Sequence, residues 1–251
     1  MKDIYSAQID QFQDSLNLVM KDFNKRVISL LMQYKTERGY LTFNARDLNF
    51  ATQSLEGLVK LLKQAGYDEA VKKLLGKEAA LLNEYKSLRP AGAVPIALTA
   101  RMTSQLKALQ QAELVIFDNI SSQSMMEIQK QLINGVLTGA KMDVIVEAIQ
   151  STLESNMHRY AWTYANTSRA RYLQAVEDIA AGKDRYEEDV YWEYVGPDDD
   201  LTRPACVQGL EIGVFTDAER LSFEADTADE RAYNCRHTFM RINKETYEEL
   251  K

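Results

Sequence analysis

Two pieces of sequence decide how this chain is read. The first is Tyr191-Trp-Glu-Tyr-Val-Gly-Pro-Asp-Asp-Asp-Leu-Thr-Arg-Pro-Ala-Cys206 and the second is Asn234-Cys-Arg-His-Thr-Phe-Met-Arg-Ile242. Of residues Tyr191 to Val195 all but Glu193 are aromatic or β-branched, which predicts a short strand. Gly196 and Pro197 predict a turn after it. Thr238 to Ile242 predicts a second strand. A five-residue strand cannot hide its apolar face alone, because an isolated strand pair is marginal in water. The two strands are therefore expected to pair, with Trp192, Cys206, Cys235 and Phe239 in one core. Ser222 to Arg231 is expected as a polar loop outside it. Arg203 and Arg236 are expected to point towards Asp198, Asp199 and Asp200.

Working outward, the 251 residues allow one large domain or two small ones, with material for a core. Only eleven Gly and four Pro are present, which favours helix. No apolar run approaches the roughly 20 residues of a membrane span. The opening MKDIYSAQIDQF carries charges where a signal peptide has its apolar centre, so a soluble protein made in a cytoplasm is expected. Two cysteines are too few for a disulfide scaffold and read as thiols or metal ligands. Charge is uneven. Residues 1–90 carry fourteen basic side chains against eleven acidic, whereas residues 181–251 carry nine against eighteen. The C-terminal part is thus a poor surface for phosphate, and any DNA contact belongs to the N-terminal two thirds.

From Asp3 to about Thr36, Tyr5, Ile9, Phe12, Leu16, Val19, Phe23, Val27, Leu30 and Tyr34 recur in steps of three and four, predicting a long amphipathic helix. Gly39 is expected as its stop. Asn44 is expected to cap a second helix through Leu58 and Leu62, ended by Gly66. Asp68 is expected to cap a third, through Leu74 and Tyr85. Pro90, Gly92 and Pro95 then break the pattern, giving the expected boundary of a 1–90 bundle. Lys60, Lys63, Lys72, Lys73 and Lys77 form a basic streak on it that suits DNA or a solvated face. Helices are predicted over Ala97–Ile120, Met125–Leu137, Asp143–Leu153 and Asn156–Ala181. The expected architecture is mainly α: a helical bundle (1–90), further long helices (96–182) and a small α+β C-terminal unit (183–251).

The ordered set resembles the phage head-morphogenesis, or minor capsid, protein family (the Mu F-like proteins). Trp192 lies on the strand before the acidic turn, Asp199 to Cys206 fits Asp-x-x-Thr-Arg-Pro-x-Cys, and Asn234-Cys235-Arg236-His237 is close to the family's late Asn-Cys-Arg-Cys. Upstream, GVLTGAKMDVIVEAI and the helix with Ala165, Thr167, Arg169, Arg171 and Tyr172 fall in the matching places. Many members have an acidic residue where this chain has Asn166-Thr167-Ser168, which puts a salt bridge from that helix in doubt. The likeness covers about residues 120–242. It implies a structural, non-enzymatic minor head protein inside the virion near the portal, acting in head assembly, DNA packaging or DNA release. The implied partner is the portal protein, with major capsid protein, scaffold protein and phage DNA as further candidates.

For the motif residues themselves, Asp198 to Asp200 suit a turn, an ion pair with Arg203 or Arg236, or a hard-cation site. Thr202 belongs to the same turn. Cys206, Cys235 and His237 are good zinc ligands, but a structural site needs four and Asp200 would have to complete it. Without a fourth soft ligand, no cofactor is expected, and folding is expected to need no transition metal. A competing expectation is a metal-dependent nuclease or hydrolase using Asp199, Asp200, Cys235 and His237. A third is a DNA-binding accessory protein acting through residues 1–90. No phosphate loop, Gly-x-Ser-x-Gly or His-Glu-x-x-His is present.

Overall fold

The computed structural model describes residues 6–182, 190–231 and 235–251. The chain is mainly α with a small sheet near its C-terminus, as expected, and that sheet is antiparallel. It divides into two compact units. One comprises residues 1–9, 75–113 and 163–251; the other comprises 10–74 and 114–162. The expected 1–90 bundle therefore does not coincide with either unit.

In the second unit, α1 (Ser6–Leu31) buries Phe12, Leu16, Val19, Phe23, Val27 and Leu31. The stripe has the spacing that predicts it, although it closes on Leu31 rather than Leu30. Phe12 meets Phe117 edge to face, 5.8 Å between ring centres. Gly39 does not stop this helix. Arg38 and Gly39, both at positive φ, form the two-residue turn of a hairpin between β1 (Thr36–Glu37) and β2 (Tyr40–Leu41). Positive φ at both turn positions suits the right-handed twist of the flanking strands. The hairpin is fastened by Leu41 N–H donating to the Ala140 carbonyl at 2.9 Å and by Met142 N–H donating to the Gly39 carbonyl at 2.9 Å.

Asn44 caps α2 (Ala45–Thr52) by accepting from Asp47 N–H at 2.8 Å. The second expected helix is split at Gln53 into α2 and α3 (Ser54–Gln64). The third is split into α4 (Tyr67–Leu75) and α5 (Glu78–Leu88), with Asp68 inside the first turn rather than at the cap. Conversely, the two helices expected over 97–137 are one, α6 (Ala100–Thr138). No Gly or Pro lies between Ile120 and Met125 to break it, and it ends at Gly139, whose φ is +63°. α7 (Met142–Thr152) continues through a π-helical turn (Leu153–His158) into α8 (Arg159–Ala181).

The sheet belongs to the first unit. β3 (Tyr191–Val195) is central, between β4 (Val214–Thr216) and β5 (Thr238–Ile242), and both pairings are antiparallel. Trp192 stands opposite both Phe215 and Arg241, and Tyr194 opposite Phe239. Trp192, Tyr194, Phe215 and Phe239 join Cys206, Phe223, Cys235, Val190 and Ala181 in one buried cluster. Ser222 to Arg231 is not an outer loop. It belongs to α10 (Asp217–Asp226) and α11 (Ala228–Arg231), and Phe223 is in the core. Thr216 and Glu219 form a reciprocal capping box at the start of α10, which satisfies two backbone donors.

The free edge of β5 is closed by residues distant in sequence. Gln174 Oε1 accepts from Phe239 N–H at 2.8 Å, and Glu177 Oε2 accepts from Arg241 N–H at 3.3 Å. Val94 N–H donates to the Arg241 carbonyl and Asn243 N–H to the Gly92 carbonyl, both at 3.0 Å. The Pro90–Pro95 segment, expected as a boundary, is instead zipped to the sheet. An unpaired edge is a template for aggregation, and this covering removes it.

Candidate functional site

The chain after β3 turns at Gly196 and Pro197 and returns through α9 (Pro204–Ile212). Pro204 opens α9, where its missing N–H is no loss. Of the three aspartates, Asp199 organises the turn. It accepts from Leu201 N–H at 3.0 Å, and Thr202 Oγ1 bridges it to the Pro197 carbonyl. Arg236 grips both Asp199 oxygens, at 2.8 and 2.5 Å, tying the turn to the entry of β5. Hydrogen bonds from Arg236, chiefly, hold the Asp199 carboxyl down at about 2. Asp198 and Asp200 are exposed. Arg203 departs from expectation: its guanidinium bonds the Glu230 carbonyl instead of the aspartates. Asn234 lies outside the described residues.

Cys206, on the first turn of α9, and Cys235 and His237, just before β5, converge. All three are buried, and their ligand atoms lie within 4.8 Å of one another. They are the one such cluster of three or more His, Cys, Asp or Glu side chains among the described residues, so neither Asp199 nor Asp200 joins it. The thiols are free, with Sγ atoms 3.9 Å apart. Their shared hydrogen bond favours thiolate at Cys235 and thiol at Cys206; burial also opposes charge on Cys206, and Arg231 favours the Cys235 anion.

His237 is fixed on three sides. Its ring stacks on Tyr194, with centres 5.3 Å apart and planes 7° apart. A Cβ on Gly196 would overlap the ring, so glycine is required there. Its Nε2 lies 2.8 Å from the Pro197 carbonyl. Since a carbonyl only accepts, Nε2 carries a proton, and in the neutral ring Nδ1 then presents a lone pair. Nδ1 is buried and has no hydrogen-bond partner among the described residues. A cavity of about 230 Å³ opens beside Cys235 and His237, with Thr167, Gln174, Glu224 and Arg231 among its lining.

Several participants escape a sequence reading. Arg231 lies over the rings of Tyr194, Phe223 and Phe239, at 5.2, 5.5 and 5.3 Å. Arg220 lies 4.2 Å over Trp192 and pairs with Asp178 at 2.7 Å, while Trp192 Nε1 donates to Asp217 at 3.0 Å. Nothing in a single sequence links Arg231 to the Tyr194 ring or Arg220 to the Trp192 ring, both far away along the chain. Gln174 and Glu177 do leave a signal: both interrupt the apolar run of α8 beside Leu173 and Val176.

Arg169, which falls in the place of the resemblance, does form a salt bridge despite the missing acid at 166–168. Its partner is Glu78, at 3.5 Å, and both side chains are fully buried. Burial pushes Glu78 up to about 7 and Arg169 down to about 10, so desolvation outweighs their attraction.

Among the described residues, no helix is long and apolar enough to cross a membrane. Comparison with protein-family models, with curated proteins and with solved structures finds no match for this chain.

Proposed function

We propose that this chain is a minor head protein of a tailed phage that associates with the portal inside the head and acts in head assembly, DNA packaging or DNA release. The supporting observation is that the residues carrying the family resemblance are parts of one packed unit. Trp192, Cys206 and Cys235 share a core, and Arg236 clamps Asp199 within the Thr202 turn. The helix with Thr167, Arg169 and Tyr172 supplies Gln174 and Glu177 to the same sheet. An ordered motif that folds into one unit is what an inherited module would give, whereas chance matches would scatter.

On this reading the chain is an interaction protein and not a catalyst. Asp199 is occupied by Arg236 and stands apart from the thiols, which weakens the nuclease alternative. Lys60, Lys63, Lys72 and Lys73 are exposed, as either a solvated face or a DNA-binding one requires. The test is co-expression of the full chain with the portal and major capsid proteins of the same genome. Co-purification with portal rings, without need of capsid protein, is expected. Failure to associate with portal, together with absence from purified virions, would overturn the proposal.

A further inference from the structure

We propose that Cys206, Cys235 and His237 bind a zinc ion, with two thiolates and the His237 Nδ1 lone pair as ligands and a water molecule in the fourth position. The proposal does not depend on the phage reading.

Distance is the first reason. Two thiolates, each about 2.3 Å from one tetrahedral zinc, stand about 3.8 Å apart, and the two Sγ atoms here are 3.9 Å apart. The imidazole nitrogen lies within the same small volume.

The second reason is the orientation of His237. Metal-bound histidines commonly donate their other ring N–H to a backbone carbonyl, which fixes the tautomer and aims the lone pair. Here Nε2 donates to Pro197, the ring is clamped between Tyr194 and the Gly196 backbone, and the buried Nδ1 forms no hydrogen bond within normal distance among the described residues, although the Cys235 sulfur interacts with the same side chain. His237 is only 4% exposed. Burying an unsatisfied acceptor is costly, and a metal would satisfy it.

The third reason is charge. Zinc takes both sulfurs as thiolates, any remaining thiol proton leaving to solvent, and the resulting ion with two thiolates and a neutral imidazole carries no net charge. Such a centre is buried without an uncompensated charge. Thiolate and imidazole donors also favour zinc over magnesium or calcium, which prefer oxygen.

A carboxylate such as Asp200 was the fourth ligand that the sequence could offer, but that residue is exposed and outside the cluster. The cavity beside Cys235 and His237 supplies both a route for the ion and room for the water. The ion would staple the first turn of α9 to the segment entering β5, which the aromatic cluster alone joins only through packing.

The experiment uses the full chain, purified under reducing conditions without chelator. Elemental analysis is expected to give about one zinc per chain, released when an organomercurial blocks the thiols. Extraction and refilling with cobalt(II) should give a thiolate-to-cobalt charge-transfer band with the intense visible bands of a tetrahedral ion. Cys206→Ser and Cys235→Ser should each weaken the charge-transfer band, and His237→Gln should lower zinc affinity at least about 10-fold. Wild-type readings decide the matter even if a variant fails to fold. A natively folded wild type that takes up neither zinc nor cobalt while reduced would overturn the proposal. So would a Cys206–Cys235 disulfide in the freshly isolated protein, or unchanged zinc content in a folded double-serine variant.

Discussion

In residues 10–74 and 114–162 the buried positions are almost all apolar, and Asp47 is the one buried charged side chain among those described. In residues 75–113 and 163–251 the interior holds Glu78, Glu113, Arg169, Glu177 and Arg220. The first unit named is organised by stripes repeating every three or four residues along each helix. The second is organised by polar side chains that reach across 64 to 92 positions of sequence, from Glu177 to Arg241 up to Tyr85 to Glu177. Stripes tolerate exchange between apolar residues of similar volume. Buried polar contacts do not, because removing one partner strands the other. The two units should therefore respond in opposite ways to conservative substitution.

The largest effect is expected at Glu177. Its carboxylate takes Arg89, the Tyr85 hydroxyl and the Arg241 N–H together. Glu177→Gln keeps the shape but leaves Arg89 as a buried, unpaired cation, so a loss of about 3–5 kcal/mol is expected. Chemical denaturation of the full chain measures it. A loss below about 1 kcal/mol would erase the contrast between the units.

At the apolar extreme, Leu58 is fully buried in α3. Leu58→Ala should cost about 3 kcal/mol through lost burial and the cavity left behind. Leu58→Met should cost less than about 1.5 kcal/mol, because volume is nearly conserved. The gap between these two variants, set against the Glu177→Gln result, gives the comparison its number.

A smaller effect should appear as pH dependence. Burial raises the folded Glu78 carboxyl from 4.5 to about 7. Between those values the folded chain keeps a proton that the unfolded chain has released. Stability from this group is therefore fullest below about 4.5 and is lost as pH rises through about 7, with a slope of at most about 1.4 kcal/mol per pH unit. Glu113 is also raised by burial and acts in the same direction. Thermal unfolding of Glu78→Gln across this range should show a shallower decline than the wild type. An equal slope would show that Glu78 titrates normally.

The smallest effect is expected at Arg236, whose partner Asp199 is 43% exposed. Arg236→Ala should cost about 1 kcal/mol or less, and salt should shrink the difference further.

The same contrast explains how much of the structure was legible beforehand. Strands β3 and β5, the core of Trp192, Cys206, Cys235 and Phe239, and the Arg236–Asp199 pair were all readable, because local composition and the need for burial determine them. The continuity of α6 was not, since its buried face carries Glu113, Ser121 and Ser124 where apolar residues would have continued the stripe. β4 has three residues and too little pattern to stand out. The splitting of the second helix at Gln53 has neither Pro nor Gly to announce it, whereas Gly76 does mark the split of the third. Above all, Pro90, Gly92 and Pro95 look like a linker locally, yet their neighbours are consumed by an edge that only the folded sheet exposes. A Cβ on Gly92 would overlap Thr246, a constraint invisible until the two segments meet.

That closure of the β5 edge is the centre of the account, and native-state hydrogen exchange on the full chain tests it most directly. The amides of Val94, Phe239, Arg241 and Asn243 are predicted to exchange slowly and to lose protection together with Trp192 and Tyr194 as denaturant is added. Fast exchange at Val94 and Asn243 beside a protected β3 would contradict it, and would restore residues 90–95 to the role of a linker.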